Sequence, residues 1–327
     1  MDALSGVLRS MRLNASIYCS LDMTAPWGLS LPKSTWAPFH FIESGSCWLV
    51  TATGRRVRLE AGDLVVLFNS EGHSLRDVPG SRPESLERVL QHKTAEGVVS
   101  FGGGGELTQI VCGKFALDEL QGPPGSLRHL PNLLRLRKES WPQFAAFSAT
   151  LRLLASEVRS RQPGSELAAR FLTEVLLIQI LRVLLEGRRT PANGWLRAVS
   201  DPPIAAALAA IHDRPQHPWT LESLAAKAGL SRSVFAARFR QRMGQTPMAY
   251  VAESRLRLAS EWLQETDLSV SEVFQRLGYA SAAAFNRAFK RKYRLPPSVF
   301  RRDLGSVELA EGQRRPGRVG TVRRAGT

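Results

Sequence analysis

A repeated pattern of residues in the last third of the chain constrains the fold more than any other feature. The stretch "TLESLAAKAGLSRSVFAARFR" is followed about fifty residues later by "SVSEVFQRLGYASAAAFNRAFK". The matching positions are Leu221, Leu224, Gly229, Ser231, Phe235 and Phe239 in the first copy and Val270, Val273, Gly278, Ser281, Phe285 and Phe289 in the second. Each copy predicts a short helix, a turn that opens at glycine, a serine N-cap and a second helix. This order of elements is a helix-turn-helix.

The second helix of each copy has an apolar face and a small or polar face. Its two phenylalanines are four residues apart, so they share the face that can pack against the first helix. The opposite faces carry Arg232, Ser233, Ala236, Ala237 and Arg240 in the first copy and Ala282, Ala283, Asn286, Arg287 and Lys290 in the second. Small side chains let a helix lie deep in the major groove, where Arg and Asn read bases and Arg and Lys contact phosphates. We predict that these faces contact double-stranded DNA; the alternative is a helical hairpin with solvated charges.

A third helix is predicted between the two copies. Thr246 is a candidate cap, Pro247 suits the first helical position, and the periodic pattern continues to about Gln264. Such a helix is roughly 25 Å long. It could hold two reading helices about one turn of DNA apart, roughly 34 Å.

The distribution of charge agrees with a polyanionic partner for the C-terminal part. The net charge of the whole chain is +15. Residues 1–200 contribute 23 Lys and Arg against 18 Asp and Glu, whereas residues 201–327 contribute 21 against 11. The shorter part is therefore the more basic, which favours nucleic acid as its partner.

The remainder of the chain predicts a β-rich region followed by helices. Between about residues 15 and 115, short apolar runs separated by turn residues indicate the strands of a sandwich or barrel. From about 139 to 187 two helical patterns follow, and the second is apolar around much of its circumference, so its own domain or a second subunit must cover it. The segment from 187 to 203 collects Gly, Pro, Asn and Ser and is typical of a linker.

The C-terminal region resembles the AraC/XylS family of bacterial transcription regulators. The residues that carry the resemblance are "PWTLESLAAKAGLSRSVFAARFRQRMGQTPMAYV" and "SVSEVFQRLGYASAAAFNRAFKRKYRLPPSVFRR". Arg294 departs from the pattern, because the family has a helix-ending Gly there, and we expect a left-handed Arg or a different helix end. The resemblance implies specific DNA binding, and RNA polymerase is a further expected partner. A homodimer is also expected, with the apolar helix near Ser165–Glu186 as its contact.

Residues 2–130 are similar to the cupin-type sensing domain of one branch of that family. The similar stretches are "APWGLSLP", "FHFIESGSCWL", "LEAGDLVVLFNSEGH" and "LRHLPNLLRL". Metal-binding cupins use about three His and one Glu, whereas only His40 and His73 stand at cupin-like places here, with Glu43 in the following turn. We therefore expect no metal and no other cofactor, and a small organic effector instead. The residues expected around its pocket are Trp36, Phe39, His40, Trp48 and His73.

The predicted fold class is α+β, with an N-terminal cupin-like β-barrel, an intermediate helical pair and a C-terminal all-α domain of two helix-turn-helix units joined by a linker helix. The predicted segments are a sensor at 1–130, a helical pair for dimerisation at 131–187, a linker at 188–203, an AraC-type DNA-binding domain at 204–304 and a disordered basic tail at 305–327. Three widely spaced cysteines and the lack of a long uncharged apolar run predict a cytoplasmic protein that contacts no membrane.

The favoured function is that of a sequence-specific transcription regulator without catalytic residues. One alternative is a metal-dependent cupin enzyme with an accessory DNA-binding module, which would need a complete metal-ligand set in the β-rich region. Another is an architectural protein that binds DNA through charge alone. Within the favoured function, the sensor could also serve only in dimerisation, or could read redox state through Cys47 or Cys112.

Overall fold

A computed structural model describes residues 2–10, 14–34, 36–68, 71–94, 98–116, 130–137, 144–160, 162–186 and 195–302. Strands fill most of the first half and helices fill the second. The predicted basic tail at 305–327 lies outside these residues.

The strands follow one another closely in the first half. In chain order they are β1 (Asn14–Thr24), β2 (Gly28–Leu31), β3 (Ala37–Ser44), β4 (Ser46–Thr51), β5 (Arg56–Glu60), β6 (Leu64–Val66), β7 (His73–Arg76), β8 (Glu84–Ser85), β9 (Val98–Gly102), β10 (Leu107–Ala116) and β11 (Leu134–Leu136). They form a six-stranded sheet in the order β11-β6-β3-β10-β1-β9 and a five-stranded sheet in the order β5-β4-β7-β2-β8.

Eleven helices are described, and most of them follow the strands. In chain order they are α1 (Ala3–Ser10), α2 (Leu86–Leu90), α3 (Phe144–Ser160), α4 (Ser165–Glu186), α5 (Trp195–Val199), α6 (Pro202–Asp213), α7 (Leu221–Lys227), α8 (Arg232–Met243), α9 (Pro247–Glu265), α10 (Val270–Arg276) and α11 (Ala282–Tyr293). Helices α3 and α4 pair with each other, and α6 to α11 form the C-terminal part.

The two sheets pack face to face, which corrects the prediction of a single barrel. Leu21 and Ile110 of the larger sheet share one apolar core with Leu49 and Leu75 of the smaller sheet. Each sheet packs its inner face against the other sheet, and this packing alone removes the apolar side chains from water. A closed barrel is therefore not needed to bury them. Among the described strands, β11, β9, β5 and β8 end the two sheets.

The other face of the larger sheet is covered by helices. Phe39 and Phe41 of β3 and Phe115 of β10 share a core with apolar residues of α3 and α4, including Leu154 and Leu177. This arrangement explains why α4 is apolar on several sides, because one side packs on α3 and another on the sheet. Strand β11 falls within residues 131–187, which were predicted to form the helical pair. It pairs with β6 of the larger sheet.

The expected linker contains ordered helix. Trp195 and Leu196 of α5 are buried in the core between the larger sheet and helices α3 and α4. Ala198 lies in the core of the C-terminal part that contains Phe235 and Phe239. Helix α1 bridges the same two cores, with Val7 in the former and Ala3 in the latter. Apolar side chains within a Gly- and Pro-rich segment therefore anchor it, and residues 187–194 lie outside the described ones.

The C-terminal part has two cores, one for each copy of the repeat. Phe235 and Phe239 lie in the first core, whereas Phe285 and Phe289 lie in the second. Helix α9 contributes Tyr250 and Val251 to the first core and Leu256, Ala259 and Leu263 to the second. A continuous helix of 19 residues thus holds the two copies at a fixed separation.

Candidate nucleic-acid interface

The first helix pair is defined by local hydrogen bonds that the sequence specifies. Helix α7 starts with a capping box, in which the Thr220 hydroxyl oxygen accepts from the Ser223 amide at 3.1 Å and the Thr220 amide donates to the Ser223 hydroxyl oxygen at 3.0 Å. Gly229 then turns the chain with φ of 63°, a left-handed conformation that glycine adopts at little cost. Helix α8 begins at Arg232 directly after this turn.

Helix α8 divides into a buried and an open face as predicted from its spacing. Phe235 and Phe239 are fully buried. The predicted DNA-contacting side chains lie on the other face, where Arg232, Ser233, Ala237 and Arg240 are exposed and Ala236 is half-buried.

Helix α11 repeats this division. Ser281 caps it by accepting from the Ala284 amide at 3.2 Å, and Phe285 and Phe289 are fully buried. All five predicted DNA-contacting residues of this helix are exposed, namely Ala282, Ala283, Asn286, Arg287 and Lys290. The helix ends at Arg294 with φ of 64°, so the expected left-handed arginine is present.

The two open faces differ in their electrostatic partners. Arg232 of α8 donates to the Glu222 carboxylate at 2.8 Å, and both side chains are exposed. The backbone amide of Glu222 and then Arg232 hold the pKa of that carboxyl below its usual value. In the described part of the chain, Asn286, Arg287 and Lys290 form no such hydrogen bond or ion pair. Among the described residues, these three polar groups of α11 are therefore unpaired, whereas Arg232 of α8 is paired with Glu222.

Asp201 is a positioning residue that the sequence reasoning missed. Its carboxylate accepts from Arg238 Nε and Arg242 Nε, each at 2.9 Å. Burial raises the pKa of Asp201, but the hydrogen bonds from the two arginines outweigh burial and the pKa lies below its usual value. The contact ties the start of α6 to α8. The Asp-Pro-Pro sequence at 201–203 is typical of a helix start and could have identified Asp201 as an N-cap. It could not have identified Arg238 and Arg242 as the partners of the carboxylate.

His40 and His73 meet in the core between the two sheets. Their Nε2 atoms are 2.7 Å apart, and His40 Nδ1 lies 3.0 Å from Cys112 Sγ. Burial, followed by the neighbouring His73, lowers the pKa of His40 well below its usual value. Burial lowers the pKa of His73 to about 4. Both rings are therefore neutral near pH 7, which suits hydrogen bonding.

The other residues expected around the effector pocket lie elsewhere. Phe39 precedes His40 on β3, and side chains alternate along a strand, so Phe39 points to the helices and stacks on Phe115 at 4.7 Å. For the same reason Trp48 lies on the opposite face of β4 from Cys47, which is in the core between the sheets. Trp36 is 38% exposed and lies under the Lys114 ammonium group. The structure brings together only His40 and His73.

Glu43, the acidic residue considered as a metal ligand, is engaged by another group. Its carboxylate accepts from Arg159 at 3.1 Å. Across the part of the chain that the structure covers, no group of three or more His, Cys, Asp and Glu side chains is arranged to hold a metal ion. In the same residues, none of the helices has the length and apolar character to cross a membrane.

Comparisons with known proteins agree with this two-part organisation. A family model described as "Cupin" matches residues 2–186, and one described as "Helix-turn-helix domain" matches residues 224–303. A putative AraC-like transcription regulator of Streptomyces lividans is 28% identical over 303 residues, covering 92% of this chain and 98% of the relative. The HTH-type transcriptional regulator AlkR of Acinetobacter baylyi is 28% identical over 316 residues, with 92% and 99% covered.

Among solved structures, the DNA-binding domain of AdpA in complex with a target DNA is 31% identical to this chain. It covers 35% of this chain and 99% of its own, with a TM-score of 0.31.

Proposed function

The chain belongs to the AraC/XylS family of transcription regulators with a cupin-type N-terminal domain, and from this premise we propose that α8 and α11 are two reading helices that recognise a specific DNA sequence. It is accordingly a DNA-binding regulator and not an enzyme. In this proposal α7 with α8 and α10 with α11 are the two helix-turn-helix units.

The observation that carries this proposal is the repeated division of both helices into a phenylalanine face and an open polar face. The ring centroids of Phe235 and Phe239 are 5.6 Å apart, and those of Phe285 and Phe289 are also 5.6 Å apart. The buried pairs fix the rotation of each helix about its axis. The open faces then present the predicted DNA-contacting residues toward solvent in both copies.

The linker helix supports simultaneous reading by both units. Helix α9 has 19 residues, so it is about 28 Å long at a rise of about 1.5 Å per residue. One turn of B-DNA is roughly 34 Å. Two helices anchored near opposite ends of α9 would therefore enter successive major grooves on one side of the duplex.

An architectural protein that binds through charge alone is the second candidate, favoured by the basic excess after residue 200. Measuring the ratio of specific to non-specific affinity at one salt concentration separates the two. Selection of bound sequences from a random DNA pool should give one enriched motif and a ratio of at least about 10³. Recovery of the pool without enrichment would contradict sequence-specific regulation and favour the architectural function.

A small organic effector in the cupin-type domain is the proposed signal. The pair formed by His40 and His73 is a buried, neutral polar group in an apolar core, the type of anchor that a small ligand uses for orientation. The effector would act by binding one arrangement of the two domains more tightly than the other. A compound screen that monitors both melting temperature and DNA affinity tests this, and a true effector must change both.

A homodimer is the proposed assembly, and it would use the helical pair. Leu167, Phe171 and Val175 of α4 are spaced four residues apart and are each 44–51% exposed, and Leu153 of α3 is 50% exposed. Such a stripe of large apolar side chains is characteristic of a contact surface. Sedimentation of the wild type and of Phe171→Glu should give a dimer and a monomer, and a monomeric wild type at micromolar concentration would remove the dimer. RNA polymerase as a further partner is proposed from the family alone.

A further inference from the structure

A cleft of about 660 Å³ lies where helix α1 of the N-terminal part meets helices α6 and α9. This volume is within the range of small-molecule sites, which often occur between domains. The wall includes Gly6 on α1, His212 at the end of α6, Gln216 in the next loop, and Arg257, Glu261 and Trp262 on α9.

Arg257 is the buried cation in this wall, with 2% of its surface exposed. Its Nη2 donates to the Ser254 hydroxyl oxygen at 2.7 Å, and its guanidinium carbon lies 5.5 Å from the centroid of the Tyr250 ring. Its Nη1 is buried without a hydrogen-bond partner. A buried guanidinium that lacks both a full set of acceptors and a counter-charge is strongly destabilising.

The neighbouring groups do not supply that counter-charge. His212 Nε2 is 2.8 Å from the Tyr250 hydroxyl oxygen, and burial followed by the charge of Arg257 lowers the pKa of His212 to about 3. Asp213 lies 3.6 Å from Arg214. Glu261 follows Arg257 by one helical turn, but the described residues include no ion pair between them. Among the described residues, Arg257 therefore has no carboxylate within ion-pair distance, and its positive charge lies beside the cleft.

We propose that this cleft binds a small organic anion whose carboxylate or phosphate group pairs with Arg257. A planar guanidinium can donate two parallel hydrogen bonds to either group, and such a ligand would satisfy Nη1. Leu258 and Trp262 in the same wall offer contacts for an apolar or aromatic body. The carboxylates of Asp213 and Glu261 disfavour a polyanion, and the burial of Arg257 keeps it from the backbone phosphates of a duplex.

This site is distinct from the proposed effector site between the sheets and does not depend on DNA recognition. The cleft lies between the two parts of the chain, because Gly6 of α1 forms one wall. Helix α1 is close to α6 there, since a Cβ added at Gly6 would lie 3.0 Å from His212 Cβ. A bound anion would therefore contact both the N-terminal part and the linker helix of the C-terminal part.

The test is calorimetric titration of the full chain with sodium benzoate and, separately, with inorganic phosphate, at constant ionic strength. The variants are Arg257→Met, which removes the charge at similar length, and Lys227→Met, which removes an exposed charge outside the cleft as a matched control. We expect saturable binding of at least one probe to the wild type. We expect binding to be at least about tenfold weaker in Arg257→Met and unchanged in Lys227→Met. The probe that binds identifies the anionic group.

Two results would overturn the site: no binding of either probe to the wild type at millimolar concentration, or equal binding to Arg257→Met. If Arg257→Met does not fold, Gln216→Glu replaces it, because this exposed position can accept a carboxylate in the same wall. Weaker binding to Gln216→Glu supports the site, and unchanged binding contradicts it. DNA affinity measured on the same preparations reports separately on the proposed regulatory function, so either proposal can fail alone.

Discussion

His40 and His73 approach each other to 2.7 Å through their Nε2 atoms, inside the apolar core that joins the two sheets. One ring must donate and the other accept, so the contact exists only while at least one Nε2 is unprotonated. With Cys112 on the far side of His40, the three side chains form one hydrogen-bonded chain across β7, β3 and β10. Protonation of both rings would place two like charges in a medium that solvates them poorly.

Acid should therefore destabilise the N-terminal part in a defined range. The folded pKa of both histidines lies below the usual 6.5, and that of His73 is about 4. Groups with a lowered pKa stabilise the fold fully above 6.5, and their contribution is lost as the pH falls toward 4. Urea unfolding of the wild type should show a falling free energy over this range. His73→Gln should weaken the dependence without removing it, because the pKa of His212 is also lowered, to about 3. His92→Gln, at an exposed site, should leave the dependence unchanged.

The three thiols should be chemically inert in the folded protein. Burial raises the pKa of Cys19 and of Cys47 to about 12 and the pKa of Cys112 well above its usual value. Because the thiolate is the reactive form, a thiol-specific reagent at about pH 8 should label the native chain slowly and the urea-unfolded chain completely. Rapid labelling of the native protein would contradict this prediction and favour redox sensing through Cys47 or Cys112.

Phe285 should be a stability residue and not a DNA contact. It is fully buried against Phe289 and Tyr279, so Phe285→Ala should cost roughly 3–5 kcal/mol in chemical denaturation of the C-terminal part. Val234→Ala, at a position 51% exposed on α8, is the control and should change stability little. A Phe285→Ala variant with wild-type unfolding and wild-type DNA binding would contradict the packing described for the second copy.

The C-terminal part should bind DNA without the sensor. A fragment from Asp201 to about residue 304 retains the second core of the repeat and all of the first core except Ala3 and Ala198. It also keeps the ion pairs of Asp201 with Arg238 and Arg242. Its affinity should fall steeply with salt, because each phosphate contact releases counterions. Filter binding over a range of salt concentrations measures the slope. A folded fragment with no affinity for DNA at low salt would show that the sensor is required.

The helical repeat could be predicted from sequence because its signals are local. Phe235 with Phe239, and Phe285 with Phe289, each share a helical face by spacing alone. The family model described as "Helix-turn-helix domain" matches the same region, residues 224–303. Ser281 is a cap whose partner is three residues away. None of these features requires knowledge of how distant segments pack.

The features that were missed depend on packing between distant segments. The pairing of β-strands into two sheets, and not one barrel, is decided by contacts across the core between the sheets. Phe39 was grouped with His40 although adjacent residues on a strand point to opposite faces. Trp195 packs in the core of the N-terminal part, and Asp201 accepts hydrogen bonds from Arg238 and Arg242. Both contacts join segments that are distant in sequence, so local patterns do not predict them.

Arg287 provides the most direct test of the central claim that α11 reads DNA sequence. Its side chain is exposed, and the structure pairs it with no described group, so Arg287→Ala should leave the fold unchanged. On a selected specific site, affinity should fall by about 1–3 kcal/mol and base preference should relax at one or two positions. Arg152→Ala, exposed on α3, is the charge-matched control and should change neither. Unaltered affinity and unaltered base preference in a correctly folded Arg287→Ala variant would contradict the account.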